Sequence, residues 1–505
     1  MNAAIATRRT ILTSVLPYAV ALASAAVMTL AFPKVDARLA APLGAIGLFW
    51  AWFGLDRRRA FLAGWLAGLV YFSLTFSWFA ETAGMLIAPF GFLLVLAPAA
   101  LEALSFGAAA WLVVVARERA RPAVAPLAAA AAFALCEWLR SYGPFGAPFG
   151  DLAYTQVGSA LAPLAAFVGS FGLTFAVCVL AAYVAAAIRG PRTATTFRTV
   201  ATAFAGVFAA SALAWLVWPA RHAEPARAVV AAAQGNIRQQ LKWTPQAFPL
   251  AIDRYVSLSR RAAAAHPAFI VWPETVIPAD LNTVPALVAK FAALAHALRT
   301  ELIVGSKQLT GGVEYNALYF FTPDGRLDDV YRKQRLVPFV ETLPAPKLLG
   351  WIPGTALVSR FGAGDVSGVI DANGVTVGPL ICWESAFADL AVDDVRDGAR
   401  VLVIATDDAW FGTTAGPYQH AQIAQMRALE TGTWVVRAGA TGISGIIAPD
   451  GRYTVETKLG ETTVAIGKIG RSPGAPFVAL GTPPVAAGFA AIYLAAVLRR
   501  KRRRR

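Results

Sequence analysis

The stretch GPLICWESAFADL, residues 378–390, closes an apolar, β-branched run on a cysteine and follows it at once with Trp383, Glu384 and Ser385. A short apolar run of this kind reads as a buried strand. Cys382, the only cysteine in the polar second half of the chain, therefore stands at a strand end. Similar runs surround it at 226–237, 268–274, 301–309, 316–325, 400–408 and 433–451. Asn373-Gly374 and the Pro-Asp-Gly triplets at 323–325 and 449–451 are turn signals between strands. Helical periodicity appears at 247–265, 284–300 and 418–432. Strands and helices mixed in this way predict an α/β or α+β sandwich over residues 225–472.

The rest of the chain is of another kind. Over 505 residues, hydrophobic side chains make up 57% and the mean hydropathy is +0.55, too apolar for a soluble protein. Seven apolar stretches lie near 11–32, 40–55, 60–80, 86–115, 123–139, 162–188 and 199–218, with an eighth near 476–498. Each is suited to a hydrocarbon core about 30 Å thick. The expected organisation is a membrane domain at 1–220 with seven transmembrane helices, a polar domain at 225–472, an eighth span at 476–498 and a basic tail at 499–505. The arginine-rich start, TRRTILTSVLPYAVALASAA (7–26), has features of a cleaved signal, but its apolar region is long and an uncleaved anchor is expected.

The net charge of +15 suggests nucleic acid, but its distribution argues otherwise. Arg8 and Arg9, Arg57 to Arg59, Arg117, Arg119 and Arg121, Arg189, Arg192 and Arg198, and the seven basic residues from Arg499 to Arg505 give 18 positive charges, all on one side of an eight-span arrangement. Asp56 and Glu118 offset two of them, so the remainder of the chain is close to neutral. The basicity is a topology signal, and it puts these loops and both termini in the cytoplasm and residues 225–472 outside it. No nucleic-acid partner is expected. Two acids fall in the apolar region: Glu137, expected to pair with Arg140 one turn later, and Glu102, whose partner the sequence leaves open.

Cys136 and Cys178 lie in apolar runs and read as small hydrophobes. Three cysteines and four scattered histidines offer no paired disulfide framework and no zinc motif, so no metal is expected. Three strand-end stretches carry reactive types. FIVWPET (269–275) delivers Glu274, YRKQRLVPFVE (331–341) holds Lys333 and Glu341, and ICWES (381–385) holds Cys382. A thiol is mostly protonated at neutral pH and needs a base or a cation beside it. A carboxylate can take its proton and return it to a leaving group, and an ammonium can hold the charge of a tetrahedral intermediate with a backbone N–H. Taken singly, each has an ordinary reading: a packed thiol, a turn, a solvated lysine.

Taken together and in this order, the three stretches resemble the Glu–Lys–Cys set of the nitrilase superfamily. AAAQGNIRQQLKW (231–243), YNALYFFTPDG (315–325), DAWFGTTAGPYQHAQIAQMRALETG (408–432) and EWLRSYGPFGAPFGDLAYTQ (137–156) are similar to the apolipoprotein N-acyltransferase family over almost the whole chain. The resemblance implies an αββα nitrilase-like sandwich outside the membrane. It further implies Cys382 as nucleophile, Glu274 as general base, Lys333 at the oxyanion, Glu341, Glu384 and Trp383 in support, and Trp243 and Trp410 at the substrate entrance. The implied reaction passes an acyl chain from a membrane phospholipid, through a thioester, to the α-amine of a diacylglyceryl-cysteine, in a monomer without cofactor at the bacterial inner membrane. Four positions depart from the family pattern: Trp383 where tyrosine is usual, Val340 for a glycine, Asp407 for an asparagine, and Gly439-Ala440 for Thr-Asn. The alternatives are a membrane-anchored amidase or ester hydrolase with the same three residues, and a binding module that keeps the fold. A Cys–His pair using His420 is the weaker reading, because His420 lies in a helical segment.

Overall fold

The computed structural model describes residues 2–87, 91–218, 227–242, 244, 247–351, 358–365, 368–472 and 474–498. The basic tail at 499–505 and Trp243 lie outside the described residues. The chain separates into two compact units, Met1–Val217 with Leu480–Arg505, and Trp218–Ala479.

The first unit is helical: Asn2–Thr29, Ala40–Trp52, Arg57–Thr75, Phe79–Ile87, Gly91–Arg119, Ala125–Arg140, Ala165–Arg189, Ala194–Leu216 and Thr482–Leu498 are its longer helices. Among the described residues, Val95–Arg119, Ala162–Arg189 and Ala194–Leu216 have both the length and the hydropathy to cross a membrane, and Ala40–Trp52 and Thr482–Leu498 are shorter apolar helices. Over the apolar stretch expected at 86–115, the described helical residues run up to Ile87 and onward from Gly91. Small residues let helices approach closely. A Cβ on Gly64 would stand 2.5 Å from the Phe106 carbonyl, and one on Gly68 would stand 2.9 Å from the Ala103 Cα. Glu102, left without a partner by the sequence, meets Arg140 at 3.2 Å, and Arg140 also pairs with Glu137 at 2.9 Å. Arg140 further donates to the carbonyls of Ala147 and Phe149, so this buried guanidinium is held by two carboxylates and two peptides.

In the second unit, thirteen strands are seen among the described residues: β1 (Ala228–Gln234), β2 (Phe269–Val271), β3 (Ile277–Asp280), β4 (Glu301–Thr310), β5 (Val313–Phe321), β6 (Leu327–Arg332), β7 (Ile370–Ala372), β8 (Val375–Ile381), β9 (Val401–Thr406), β10 (Trp434–Gly439), β11 (Gly445–Ile447), β12 (Tyr453–Glu456) and β13 (Thr463–Ile469). They form two sheets, ordered β13-β1-β2-β4-β5-β6 with β3 beside β4, and β12-β11-β10-β9-β8-β7. The period of two along each strand builds the layers. Val230, Ala232, Phe269, Val271 and Ile303 of the first sheet pack with Val377, Ile381, Val401, Val403 and Val436 of the second. The alternate residues Ala231, Ile270, Trp272, Leu302 and Val304 face the other way, into a cluster with Ala251, Tyr255, Leu258, Phe291 and Ala295 of the helices Ala247–Ala263 and Pro285–Leu298. Helices Ala388–Arg396 and Gly416–Thr431 lie against the second sheet, completing a helix–sheet–sheet–helix sandwich.

The topology sets the position of the chemistry. β1, β2 and β4 are parallel, as are β8, β9 and β10, and β6 regains the direction of β4 through two antiparallel pairings. Strands of one direction end on one edge, and side chains just past those ends share a crevice. Glu274 follows β2 by three residues, Lys333 follows β6 directly, Cys382 follows β8 directly, and Asp407 follows β9 directly.

Candidate active site

At the end of β2, Trp272 is still in register, its N–H donating to the Ile303 carbonyl at 2.8 Å; Pro273 then turns the chain and Thr275 takes a positive φ of 45°. Glu274 is thereby held between the sheet ends. Its Oε1 accepts from the Lys333 ammonium at 3.1 Å and from Asn316 Nδ2 at 2.7 Å, and its Oε2 accepts from the Asp407 N–H at 2.9 Å. Lys333 also reaches Glu341 Oε1 at 3.0 Å, and Glu341 accepts from Asn316 at 3.0 Å and from the Val337 N–H at 2.9 Å. Lys333 is 1% exposed. The basic loop predicted around it is the end of β6, where its own N–H donates to the Asn316 carbonyl at 2.8 Å. A buried ammonium is stable there because two carboxylates accept from it.

Cys382 has φ of 52°. The left-handed region is unfavourable for a residue with a Cβ, by about 1–3 kcal/mol, and persists only where the surroundings enforce it. Glu384, fully buried, is part of that enforcement. One of its oxygens accepts from the N–H groups of Gln334 at 2.6 Å and Arg335 at 3.1 Å; the other accepts from the Ile381 N–H at 2.6 Å, and the Tyr331 hydroxyl reaches both. One carboxylate thus ties the two residues after Lys333 to the residue before Cys382.

The electrostatics divide the roles. Burial pushes the Glu274 carboxyl up, but Lys333, Lys242, Asn316 and the Asp407 N–H outweigh it and hold Glu274 below the ordinary carboxylate range. Burial works against the Lys333 charge, yet Glu274 and Glu341 raise the ammonium well above its usual value. The Cys382 thiol is raised well above its ordinary value by burial and then by the Glu274 carboxylate, against the lowering effects of Lys333 and a hydrogen bond with Thr406. At neutral pH the set holds a carboxylate, an ammonium and a protonated thiol. Burial pushes Glu384 up to about 7, against the three N–H donors it accepts from.

Glu274, Lys333 and Glu341 are in direct contact, and Cys382 is within their field. Trp383 and Trp410 are partly exposed, the first with its ring centroid 6.2 Å from that of Phe387 and the second in the short 3₁₀ turn Asp408–Phe411. Two residues of the site, Asn316 and Lys242, were not among those predicted for it, and His420 entered only through the weaker Cys–His reading. Asn316 bridges the two carboxylates. Lys242 pairs with Asp407 at 2.5 Å and lies 3.4 Å from the Glu274 carbonyl. His420 lies behind Cys382, with Nε2 3.1 Å from its carbonyl oxygen. Asn316 and Lys242 lie in stretches that resemble the family, YNALYF and LKW, but both are ordinary polar residues until the sheet closes over them. Of the departures from the family pattern, Val340 does not occupy a left-handed position, which is taken by Phe339 at φ 62°. Ala440 serves through its backbone, donating to the Thr406 carbonyl at 3.0 Å and accepting from the Asn236 N–H at 2.7 Å.

The family model described as carbon-nitrogen hydrolase matches residues 229–474, and that of the apolipoprotein N-acyltransferase N-terminal domain matches residues 24–183. The chain is 35% identical to apolipoprotein N-acyltransferase of Caulobacter vibrioides over 80% of its own length and 78% of that protein's. It is 33% identical to that of Pseudomonas syringae, over 89% of this chain and 90% of the relative. The chain belongs to the apolipoprotein N-acyltransferase family. A further relative, apolipoprotein N-acyltransferase of Methylococcus capsulatus, is 31% identical over 96% of each chain, so the similarity to the family runs through both units. Among solved structures, a mutant amidase of the nitrilase superfamily from Nesterenkonia aligns with 53% of this chain and 98% of its own, at 15% identity and a TM-score of 0.42. Within the acyltransferase family, the match to the carbon-nitrogen hydrolase model contains every strand-end residue described above, and the match to the N-terminal domain contains Glu102, Glu137 and Arg140.

Proposed function

We propose that this chain acylates the α-amine of diacylglyceryl-cysteine at the N-terminus of apolipoproteins, with a membrane phospholipid as donor and Cys382 as the covalent carrier. The observation that carries the reading is the buried cluster in which Lys333 pairs with Glu274 and Glu341 at strand ends of the first sheet, its Glu274 and Lys333 acting on the Cys382 thiol at a strand end of the second, in a chain of this family. Glu274 is the base: two donors occupy Oε1 and one occupies Oε2, leaving Oε2 a lone pair for the thiol proton. As sulfur attacks the ester carbonyl, that proton passes to Glu274 and the oxyanion forms against Lys333 and the Trp383 N–H. Collapse breaks the ester C–O bond, and Glu274 returns the proton to the departing lysophospholipid. In the second half the free amine attacks the thioester and gives a proton to Glu274; collapse breaks the C–S bond, leaving the amide, and Glu274 returns the proton to the Cys382 sulfur.

An eight-span membrane domain with residues 225–472 on the outer side of the inner membrane fits this reading. Donor and acceptor are both lipid-anchored, so a tethered catalytic domain works at high effective concentration. The charge distribution supports the orientation. A tag inserted at the exposed Gly311–Gly312 turn is expected to react only with reagents outside the cytoplasmic membrane, and one after Arg505 only from inside. The reverse pattern would remove an extracytoplasmic lipoprotein as substrate.

Transfer is separated from hydrolysis by what discharges the acyl-enzyme. The isolated thioester is expected to persist in buffer and to be discharged rapidly by a diacylglyceryl-cysteinyl peptide with a free N-terminus. The N-acetylated peptide should leave it intact, since its nitrogen is no longer nucleophilic. Decay to free fatty acid at one rate with and without the free peptide would make the protein a hydrolase.

A further inference from the structure

A second constellation lies beneath the nucleophile, outside the Glu–Lys–Cys set. His420 Nδ1 is 2.9 Å from Asp408 Oδ1, and Arg437 Nη2 donates to Asp408 Oδ2 at 2.7 Å. On its other side, His420 Nε2 is 2.9 Å from the Ser385 hydroxyl and 3.1 Å from the Cys382 carbonyl oxygen, and Ser385 donates to that same carbonyl at 2.8 Å. The chain Ser385–His420–Asp408 has the order of a hydrolytic triad. Ser385, His420, Asp408 and Arg437 are each 0% exposed, so no substrate reaches the hydroxyl. What the chain does reach is the peptide that joins Cys382 to Trp383.

A trans peptide is planar, with its C=O and N–H pointing in opposite directions. Anchoring the Cys382 carbonyl toward Ser385 and His420 therefore turns the Trp383 N–H the other way. The left-handed φ of Cys382 is the backbone conformation that this anchoring holds. We propose that Ser385 and His420, braced by Asp408 and Arg437, are positioning residues that aim the Trp383 N–H as the backbone oxyanion donor beside Lys333. Asp408 and the Cys382 carbonyl both accept only, so His420 meets each through an N–H, Nδ1–H toward Asp408 and Nε2–H toward the nucleophile's peptide. The inference rests on the reading of Cys382 as nucleophile.

The test uses two reactions of one thiol in the purified full-length protein. Acylation by phospholipid passes through an oxyanion; alkylation by iodoacetamide does not. His420→Leu, which removes both polar ends of the ring, is expected to slow acylation by about 100-fold while alkylation of Cys382 and the KM for phospholipid stay close to the parent. His420→Gln can restore an N–H near the Nε2 position and should recover at least about tenfold of the loss. Acylation at the parent rate in His420→Leu overturns the proposal. So does an equal fall of acylation and alkylation with no recovery in His420→Gln, because the network would then support the thiol or the fold. Should His420→Leu fail to fold, Ser385→Ala serves. It is expected to lose about tenfold in acylation alone, and a parent-like rate overturns the proposal. Failure of the underlying reading looks different: in the parent protein itself, the acyl label would sit on a residue other than Cys382.

Discussion

Protein incubated with phospholipid and no acceptor is expected to gain one acyl mass on Cys382, labile to hydroxylamine, and Cys382→Ala to gain none and to show no measurable transferase activity. The expectation follows from where the three thiols lie. Cys136 and Cys178 are buried in the helices Ala125–Arg140 and Ala165–Arg189, whereas Cys382 is partly exposed at a strand end. Only Cys382 has a carboxylate and an ammonium acting on it together. Its raised thiol value also shapes the experiment. A thiol that stays protonated at rest does not react by standing as a thiolate; it reacts when Glu274 removes the proton during attack. Label should thus depend on a bound ester carbonyl and appear with phospholipid, not with simple age of the sample. An acyl mass on Cys136 or Cys178, or transferase activity in Cys382→Ala, would remove Cys382 from the reaction.

How much of this was legible in the residues depends on the range of each interaction. The period of two and the β-branched runs marked β1, β2, β4, β5, β8, β9 and β10, because burial on both faces leaves a local signature. β6 was not marked. Its sequence, LDDVYR, is polar at three of its six positions, and the strand exists because β5 offers it a partner. β12 and β13 were missed as well: β12 alternates with the exposed polar Thr454 and Glu456, and β13 is an edge strand whose residues are mostly only half-buried. Glu274, Lys333 and Cys382 were visible as types at strand ends, but not as neighbours; the parallel sheet directions supply that. Asn316 and Lys242 carried no signal of their own, and His420 was visible only as a Cys–His candidate. Their partners lie 42, 165 and 38 residues away. The helix containing His420 argued against a Cys–His pair, and the structure gives a physical reason: the imidazole meets the Cys382 carbonyl, not a free thiol face. Glu102 resolved likewise, its counter-charge Arg140 lying 38 residues on.

Glu274→Gln is expected to slow acylation by at least about 100-fold, and Lys333→Met by a similar factor, for different reasons. In Glu274→Gln the amide oxygen can still accept from Lys333 and Asn316. Its NH2 group then faces the Asp407 N–H, donor against donor, where the carboxylate had accepted at 2.9 Å. The Lys333–Glu341 pair at 2.9 Å survives, so the ammonium keeps a counter-charge and the sheet edge has reason to hold. What is lost is the proton acceptor, so acylation and alkylation by iodoacetamide should fall together. Lys333→Met leaves Glu274 and Glu341 buried with Asn316 between them and without the ammonium that bonded both; Lys242, 3.4 Å from the Glu274 carbonyl, offsets part of that loss at Glu274 alone. Like charges this close favour protonation of one of them, which weakens the base as well as removing the oxyanion's cation. Its thermal stability should drop more than that of Glu274→Gln, because an uncompensated buried charge costs about 3–5 kcal/mol. The assignment therefore predicts a pattern across two measurements: similar losses of acylation, and a stability loss concentrated in the lysine variant. Near-parent thioester formation in either variant would mean that the reacting set has been misassigned. Equal activity losses with Glu274→Gln the less stable protein would mean that the carboxylate chiefly holds the fold.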